Sequence, residues 1–229
     1  MKSLPLHIKI DEGLYQKDPE SSELGKKIVS QSIELMDELG FECFTFKKLG
    51  LKIGSNESSI YRYFDSKHTL LLYLLNWYWS WVEYRLALAT TNVPASEKKL
   101  LDAIQLLTQK VSKDQRFSYI DEALLQRIII SESSKAYHTK NVDEENKKGF
   151  YRPYKRVVQR VSDMVLELYP DYRYPHMLIS TVIEGAHQQY YFSRHLPSLT
   201  DVEKGNNDIV KFYCELVISS IQSETKINI

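Results

Sequence analysis

The chain is poor in cysteine: Cys43 and Cys214 are the only two in 229 residues. Two thiols so far apart exclude a disulfide scaffold or a thiolate zinc cage, and both are expected as small buried hydrophobes. An excess of charge of either sign is also missing, since Lys plus Arg is 30 and Asp plus Glu is 30. No global basic field exists, so any contact with nucleic acid must come from a local patch. Long apolar runs are lacking too. The greasiest stretch, Thr69 to Val82, is uncharged for 14 residues and contains Asn76, short of the ~20 that a membrane-spanning helix needs. In the opening MKSLPLHIKIDEG, Pro5, His7, Lys9 and Asp11 interrupt anything like a signal-peptide core, so a cytoplasmic protein without membrane contact is expected. Persuasive runs of alternating strand pattern, a glycine-rich phosphate loop, a nucleophile elbow and a paired carboxylate cluster are all absent. No catalytic residue, metal site or cofactor is therefore expected, and the chain does not read as an enzyme.

What is present is helical periodicity. Apolar residues make up 43% of the chain and charged residues 26%, enough for a folded core in one domain or two. Residues 1–20 are polar, contain Pro5, Gly13 and Pro19, and read as an N-terminal arm or irregular leader. From Ser22 to Leu39, the positions Leu24, Ile28, Ser32, Leu35, Met36 and Leu39 recur at three- and four-residue spacing, with Gly40 suited to end the helix. Thr45 can cap a two-turn helix over Phe46 to Ile53. After the break at Gly54, Ser55 and Asn56, a helical pattern resumes from Glu57 to Phe64. Asp65 or Ser66 can cap a long helix from Lys67 to about Leu88. Further helices are expected over Ser96–Val111, Tyr119–Ile130, Tyr154–Leu168, Pro175–His195 and Asp208–Ile221, with prolines near several ends. The fold class is all-α.

Two short helices joined by a three-residue turn make a helix-turn-helix, whose second helix is the reader. Between Thr45 and His68 five cations, Lys47, Lys48, Lys52, Arg62 and Lys67, face two carboxylates, Glu57 and Asp65. This is the local basic patch that the neutral total conceals. Hydroxyls at Thr45, Ser55, Ser58, Ser59 and Tyr61, with free N–H groups at two helix starts, suit phosphate oxygens.

The stretch FTFKKLGLKIGSNESSIYRYFDSKHTLL resembles the DNA-binding head of the tetracycline-repressor-like (TetR) family of transcriptional regulators. The resemblance rests on Gly54, Tyr61, Tyr63, Phe64, Ser66, Lys67, Leu70 and Leu71, preceded by a helix ending at Gly40, and covers residues 22–72. It implies a three-helix head over 21–72 and a helical effector-binding and dimerisation body over 73–229, in an all-helical homodimer. By resemblance Thr45, Tyr61 and Lys67 contact phosphate, while Ser55, Asn56, Glu57, Ser58, Ser59 and Arg62 lie near base edges. Lys47 joins them from the basic patch. The sequence departs from the family pattern at Glu57 and Ser58, where a small or basic residue is usual, and at Gly50, which replaces alanine. Glu57 supports the helix start through its dipole or accepts a hydrogen bond from a cytosine amino group.

In the body, Trp77, Trp81 and Tyr84 share one helix face while Tyr78 and Trp79 point away. Core packing accounts for such a run. One side, with Tyr119, Tyr154 and other tyrosines, is also a candidate lining for a small apolar or aromatic effector. Glu184 and His187 have the spacing of helical di-iron ligands, but no second such pair occurs. They are expected as a hydrogen-bonded pair or as effector contacts. Stripes on the last two helices, Leu178, Val182, Ala186 and Tyr190 against Ile209, Phe212, Tyr213, Leu216, Val217 and Ile221, suit a two-fold four-helix interface. Such a dimer would offer two reader helices ~34 Å apart to a pseudo-palindromic site on double-stranded DNA. Repression released by an effector is the expected activity. The alternatives are a helical protein-interaction module without specific DNA binding and, more remotely, an all-helical enzyme.

Overall fold

The computed structural model describes residues 8–113, 119–203 and 206–222. Among them the regular structure is helical throughout: α1 (Glu23–Cys43), α2 (Phe46–Ile53), α3 (Glu57–Tyr61), α4 (Lys67–Thr90), α5 (Glu97–Thr108), α6 (Glu122–Glu132), α7 (Ser134–Tyr137), α8 (Val142–Lys148), α9 (Arg152–Leu168), α10 (Pro175–His195) and α11 (Asp208–Gln222). Single 3₁₀ turns occur at Glu12–Leu14, Pro19–Ser21 and Pro197–Leu199. The all-α expectation holds.

The chain divides into two compact units, Met1–Trp81 with Lys110–Tyr154, and Val82–Gln109 with Lys155–Ile229. The boundaries fall inside α4, between α5 and α6, and inside α9, not at the head–body border expected after Leu72. The reason is the packing of α6 on α1. There Arg127 forms a two-pronged ion pair with Asp37, and the backbone N–H of Phe41 donates to the Glu132 carboxylate at 3.3 Å.

In the first unit, Ile28, Val29, Ile33 and Met36 of α1 are buried with Phe46, Leu49 and Ile53 of α2 and Ile60 of α3. Ser22 caps α1 through the Gly25 N–H. Gly40 leaves the helical region at φ +73, a conformation that costs a side-chain-bearing residue. The helix does not stop there, because the chain makes one more turn, closed by the Phe44 N–H donating to the Gly40 carbonyl. That turn sends Phe41 and Phe44 inward and leaves Cys43 exposed, with Cys214 only half-buried. Neither thiol is the buried hydrophobe the composition suggested.

The leader is irregular, as expected, but it is not a free arm over its described part. Ile8, Ile10, Leu14 and Pro19 are buried, and the Gln16 N–H donates to the Tyr63 carbonyl at 2.9 Å. The helix expected over Tyr119–Ile130 starts only at Glu122, capped by Asp121. Helices α7 and α8 were not foreseen; both are under two turns, too short for the apolar period to register. Leu70 through Trp79 of α4 are all buried, so this stretch is covered on every side. Of the two candidate caps for α4, Ser66 serves, accepting from the Thr69 N–H at 3.1 Å.

The second unit packs α5, α10 and α11 together. Leu100, Ile104, Ile179, Val182, Ile183, Ile209, Val217 and Ile221 are buried. The Tyr190 hydroxyl donates to the Thr108 carbonyl at 2.8 Å, tying α10 to α5. Gly185 lets α11 approach α10, for a Cβ there would lie 2.3 Å from the Tyr213 hydroxyl.

Candidate nucleic-acid interface

Helix α2 begins where Thr45 Oγ1 accepts from the Lys48 N–H at 3.2 Å. It ends at Gly54, left-handed at φ 67 and ψ 36. The turn closes when the Ser55 N–H donates to the Gly50 carbonyl at 2.9 Å. This brings the Ser55 carbonyl so close that a Cβ at Gly50 would sit 2.7 Å from it. Gly50 therefore matches the tightness of this turn, which gives a physical reason for the departure from the family's alanine. Asn56 caps α3 through Oδ1, which accepts from the Ser59 N–H at 2.8 Å and from Ser59 Oγ at 2.7 Å. Asn56 and Ser59 are thereby committed in part to holding α3. Helix α3 ends at Tyr61, earlier than the expected Phe64, because the Tyr63 and Phe64 N–H groups both turn back to the Ile60 carbonyl.

The tip formed by α2 and α3 exposes mainly polar side chains. Thr45, Lys47, Asn56, Ser58, Tyr61 and Arg62 are exposed, while Ser55, Glu57 and Ser59 are half-buried. Tyr61 keeps 49% of its surface in solvent, and its ring centre lies 5.0 Å from that of Phe46 in an edge-to-face contact. Leu51, 78% exposed, stands on the same short α2 as Lys47.

The five cations of this segment divide into two groups. Lys47 and Arg62 have no hydrogen-bond or ion-pair partner among the described residues. Lys48 donates to the Cys43 carbonyl at 2.8 Å, and Lys52 pairs with Glu34 at 3.1 Å. Lys67 donates to the carbonyls of Phe41 and Glu42 at 3.0 and 3.1 Å and stands 4.6 Å from the centre of the Phe41 ring. It is half-buried, with its ammonium on the free carbonyls at the end of α1, where a cation is favoured. Lys27, which sequence reasoning passed over, does the same for α2, donating to the Ile53 carbonyl at 2.9 Å.

The candidate effector residues are spread over both units. Trp77 and Trp81 stack at 6.5 Å and 18°, each 1% exposed. Tyr78, whose ring centre lies 6.0 Å from that of Trp81, and Trp79 are buried as well. Tyr154 stacks on Trp79 at 4.3 Å, and the cavity beside these two rings measures about 10 Å³, room for about one water. The Tyr119 hydroxyl donates to the Glu20 carboxylate; burial, with that acceptor, pushes its pKa well above the usual phenol range. In the second unit Glu184 is exposed and His187 is buried on α10, so the two side chains do not share one environment. Burial lowers the His187 pKa to about 4, leaving a neutral imidazole. Among the described residues no three His, Cys, Asp or Glu side chains stand together as metal ligands. A larger groove of about 380 Å³ lies in the second unit, where Lys99, Arg156 and Arg160 face Glu83, Asp163 and Glu167. Arg156 is held there by a two-pronged bond to Glu83. No signal in the sequence marked this groove, since its charges come from three separate helices.

The geometry defines an all-helical protein with an N-terminal helix-turn-helix on a helical body. A family profile described as bacterial regulatory proteins, tetR family, matches residues 28–74. Among solved structures, a tetR-family regulatory protein from Rhodococcus RHA1 superimposes with TM-score 0.60 at 12% identity, over 87% of this chain and 97% of that one. The transcriptional regulator FadR from Bacillus subtilis, solved with stearoyl-CoA, gives 0.58 at 13%, over 86% and 97%. The superantigen PfiT gives 0.56 at 14%, over 91% and 100%. No curated protein sequence matches the chain. The chain has the fold of TetR-family transcriptional regulators, with the helix-turn-helix at its N-terminal end. Among the described residues, no helix is long and apolar enough to cross a membrane.

Proposed function

We propose that the protein is a DNA-binding transcriptional regulator without catalytic activity, acting as a homodimer on a pseudo-palindromic site in double-stranded DNA. The observation that carries this reading is the exposed tip of α2 and α3, where Lys47 and Arg62 have no ionic partner and Asn56, Ser58 and Tyr61 face solvent. Exposed cations and hydroxyls around a short rod of this size suit the major groove and its phosphate rails. The fold alone would not carry it, because one fold hosts unrelated functions and PfiT, described as a superantigen, shares this one.

The dimer reading rests on α10 and α11, which leave Met177 and Phe212 exposed at 66% and 55%. Pairing there supplies two reader helices, and an effector that favours one state of the body alters their ~34 Å spacing. A coupling of about 1–3 kcal/mol changes DNA affinity roughly 5–150-fold, enough for a repressor to release its site. FadR was solved with stearoyl-CoA, and a small apolar or aromatic effector is the class proposed here.

Selection of bound fragments from a fragmented genomic library, followed by titration of the recovered duplexes at physiological salt, tests the reading. Enrichment of sites with inverted half-sites supports it. Absence of enrichment, with equal weak binding to every duplex, favours a helical interaction module instead.

A further inference from the structure

The leader does more than pack. Its backbone is bonded to the residues just after the reader helix through Gln16 N–H and the Tyr63 carbonyl, and the Gln16 amide donates to the Asp65 carboxylate at 2.9 Å. The Tyr63 hydroxyl meets Ser22 Oγ at 2.8 Å. Pro19 is pressed onto α1 at Gly25, where a Cβ would come 2.2 Å from the Pro19 carbonyl oxygen. This strap fixes Lys17, which is exposed, with its ammonium 5.2 Å from the centre of the Tyr63 ring. Arg62, the next residue to Tyr63, is exposed as well.

Neighbouring carboxylates are turned to other donors. Asp18 accepts from the Glu20 N–H at 2.8 Å, Glu20 from Tyr119, Asp65 from Gln16 and Asp11 from the Gly13 N–H at 3.0 Å. Glu12 is exposed nearby on its own turn. Lys17 has no carboxylate partner among the described residues. Burial raises the Tyr63 phenol pKa, yet its hydrogen bond with Ser22 and the nearby positive charges of Lys17 and Arg62 outweigh it and leave the group below its usual value. One exposed cation thus stands over the Tyr63 ring, and a second follows in sequence at Arg62.

We infer that Lys17, held by the leader, is a phosphate contact of the DNA-binding head, on the rail flanking the reader helix. The inference rests on the DNA-binding reading above. Its physical basis is a substitution of roles: Lys67, the residue that the family resemblance assigns to phosphate, has its ammonium on the carbonyls of Phe41 and Glu42. Lys17 supplies a cation that the head otherwise spends internally. A backbone contact of this kind adds affinity without reading sequence.

The test is a salt titration of the full chain on a duplex recovered by the genomic selection, read by fluorescence anisotropy. Lys17→Ala is expected to lower the slope of log affinity against log salt by about 0.9 and to weaken all duplexes alike. Lys17→Arg is expected to keep the wild-type slope, and Lys9→Ala, an exposed lysine earlier on the leader, to leave it unchanged. Because Lys17 is exposed, its melting temperature serves as the folding control. A wild-type slope in Lys17→Ala overturns this inference alone. A wild-type protein that binds no duplex overturns the DNA reading and this inference with it.

Discussion

At the end of α3 the ring of Tyr61 keeps half its surface in solvent, whereas along α4 the rings of Trp77 and Trp81 are sealed at 1% exposure. Both regions are rich in side chains able to bind a partner, and their burial separates them. At the tip, Lys47, Ser58 and Arg62 give the fold little, since exposed side chains away from special features change stability by only about 0.5 kcal/mol. Their identity is therefore free to serve something outside the chain. The α4 indoles contribute to stability, and a ligand seeking their faces must displace rings already stacked on each other.

The first way to break the comparison is to hollow out α4. Trp81→Ala is expected to cost about 3–5 kcal/mol, the range for deleting a buried aromatic side chain, read as a lower denaturation midpoint in urea. A loss below about 1 kcal/mol would mean that these rings repack easily, and an effector could then enter among them. His187 supplies the next largest effect, from the second unit. Its folded pKa of about 4 lies below the ordinary 6.5. The folded state thus binds fewer protons than the unfolded one in this window. Its contribution is fully present above pH 6.5 and is lost as pH falls toward 4, amounting to about 3 kcal/mol. His187→Leu should flatten that limb of a stability–pH curve, and an unaltered limb would show that the imidazole is not what titrates.

Much of this was legible in the sequence because it rests on local rules. The α2 span, its Thr45 cap and the Gly54 break follow from a capping residue, an apolar period and a left-handed glycine, all within ten residues. The span of α10 follows from Pro175 at its start and an apolar stripe. What could not be read depends on partners distant along the chain. The engagement of Lys67 by Phe41 and Glu42 requires α1 to end beside α4. The ion pair of Arg127 with Asp37 joins residues far apart in sequence, and it draws α6 into the unit that contains the head. The leader misleads for the same reason, since prolines and polar residues mark irregular backbone but do not say whether that backbone is docked. Exposure at the tip was foreseeable from charge, but the division of its five cations into free and engaged was not, because each engaged lysine reaches a carbonyl or carboxylate on another segment.

That division yields the smaller effects. Arg62→Ala should weaken binding to a cognate duplex by about 1–3 kcal/mol and relax preference at one base position if the guanidinium reads a guanine edge, with the denaturation midpoint unmoved. A variant that loses both affinity and stability would show Arg62 to be part of the fold and would erase the contrast with α4.

Lys67 is the finer instrument, because its two possible duties leave different traces. With its ammonium on the carbonyls of Phe41 and Glu42, Lys67→Met keeps much of the stem's packing on Phe41 and removes the charge-assisted hydrogen bonds, costing about 1–2 kcal/mol of stability. The slope of affinity against salt should then stay at its wild-type value. If DNA draws the ammonium away from those carbonyls, the slope should fall by about 1 and free-protein stability should change little. Measuring both quantities on one variant decides whether the lysine belongs with the engaged cations or with Lys47 and Arg62 at the tip. The same pair of measurements on Lys47→Met, whose ammonium has no partner to lose, sets the scale: a slope change without a stability change.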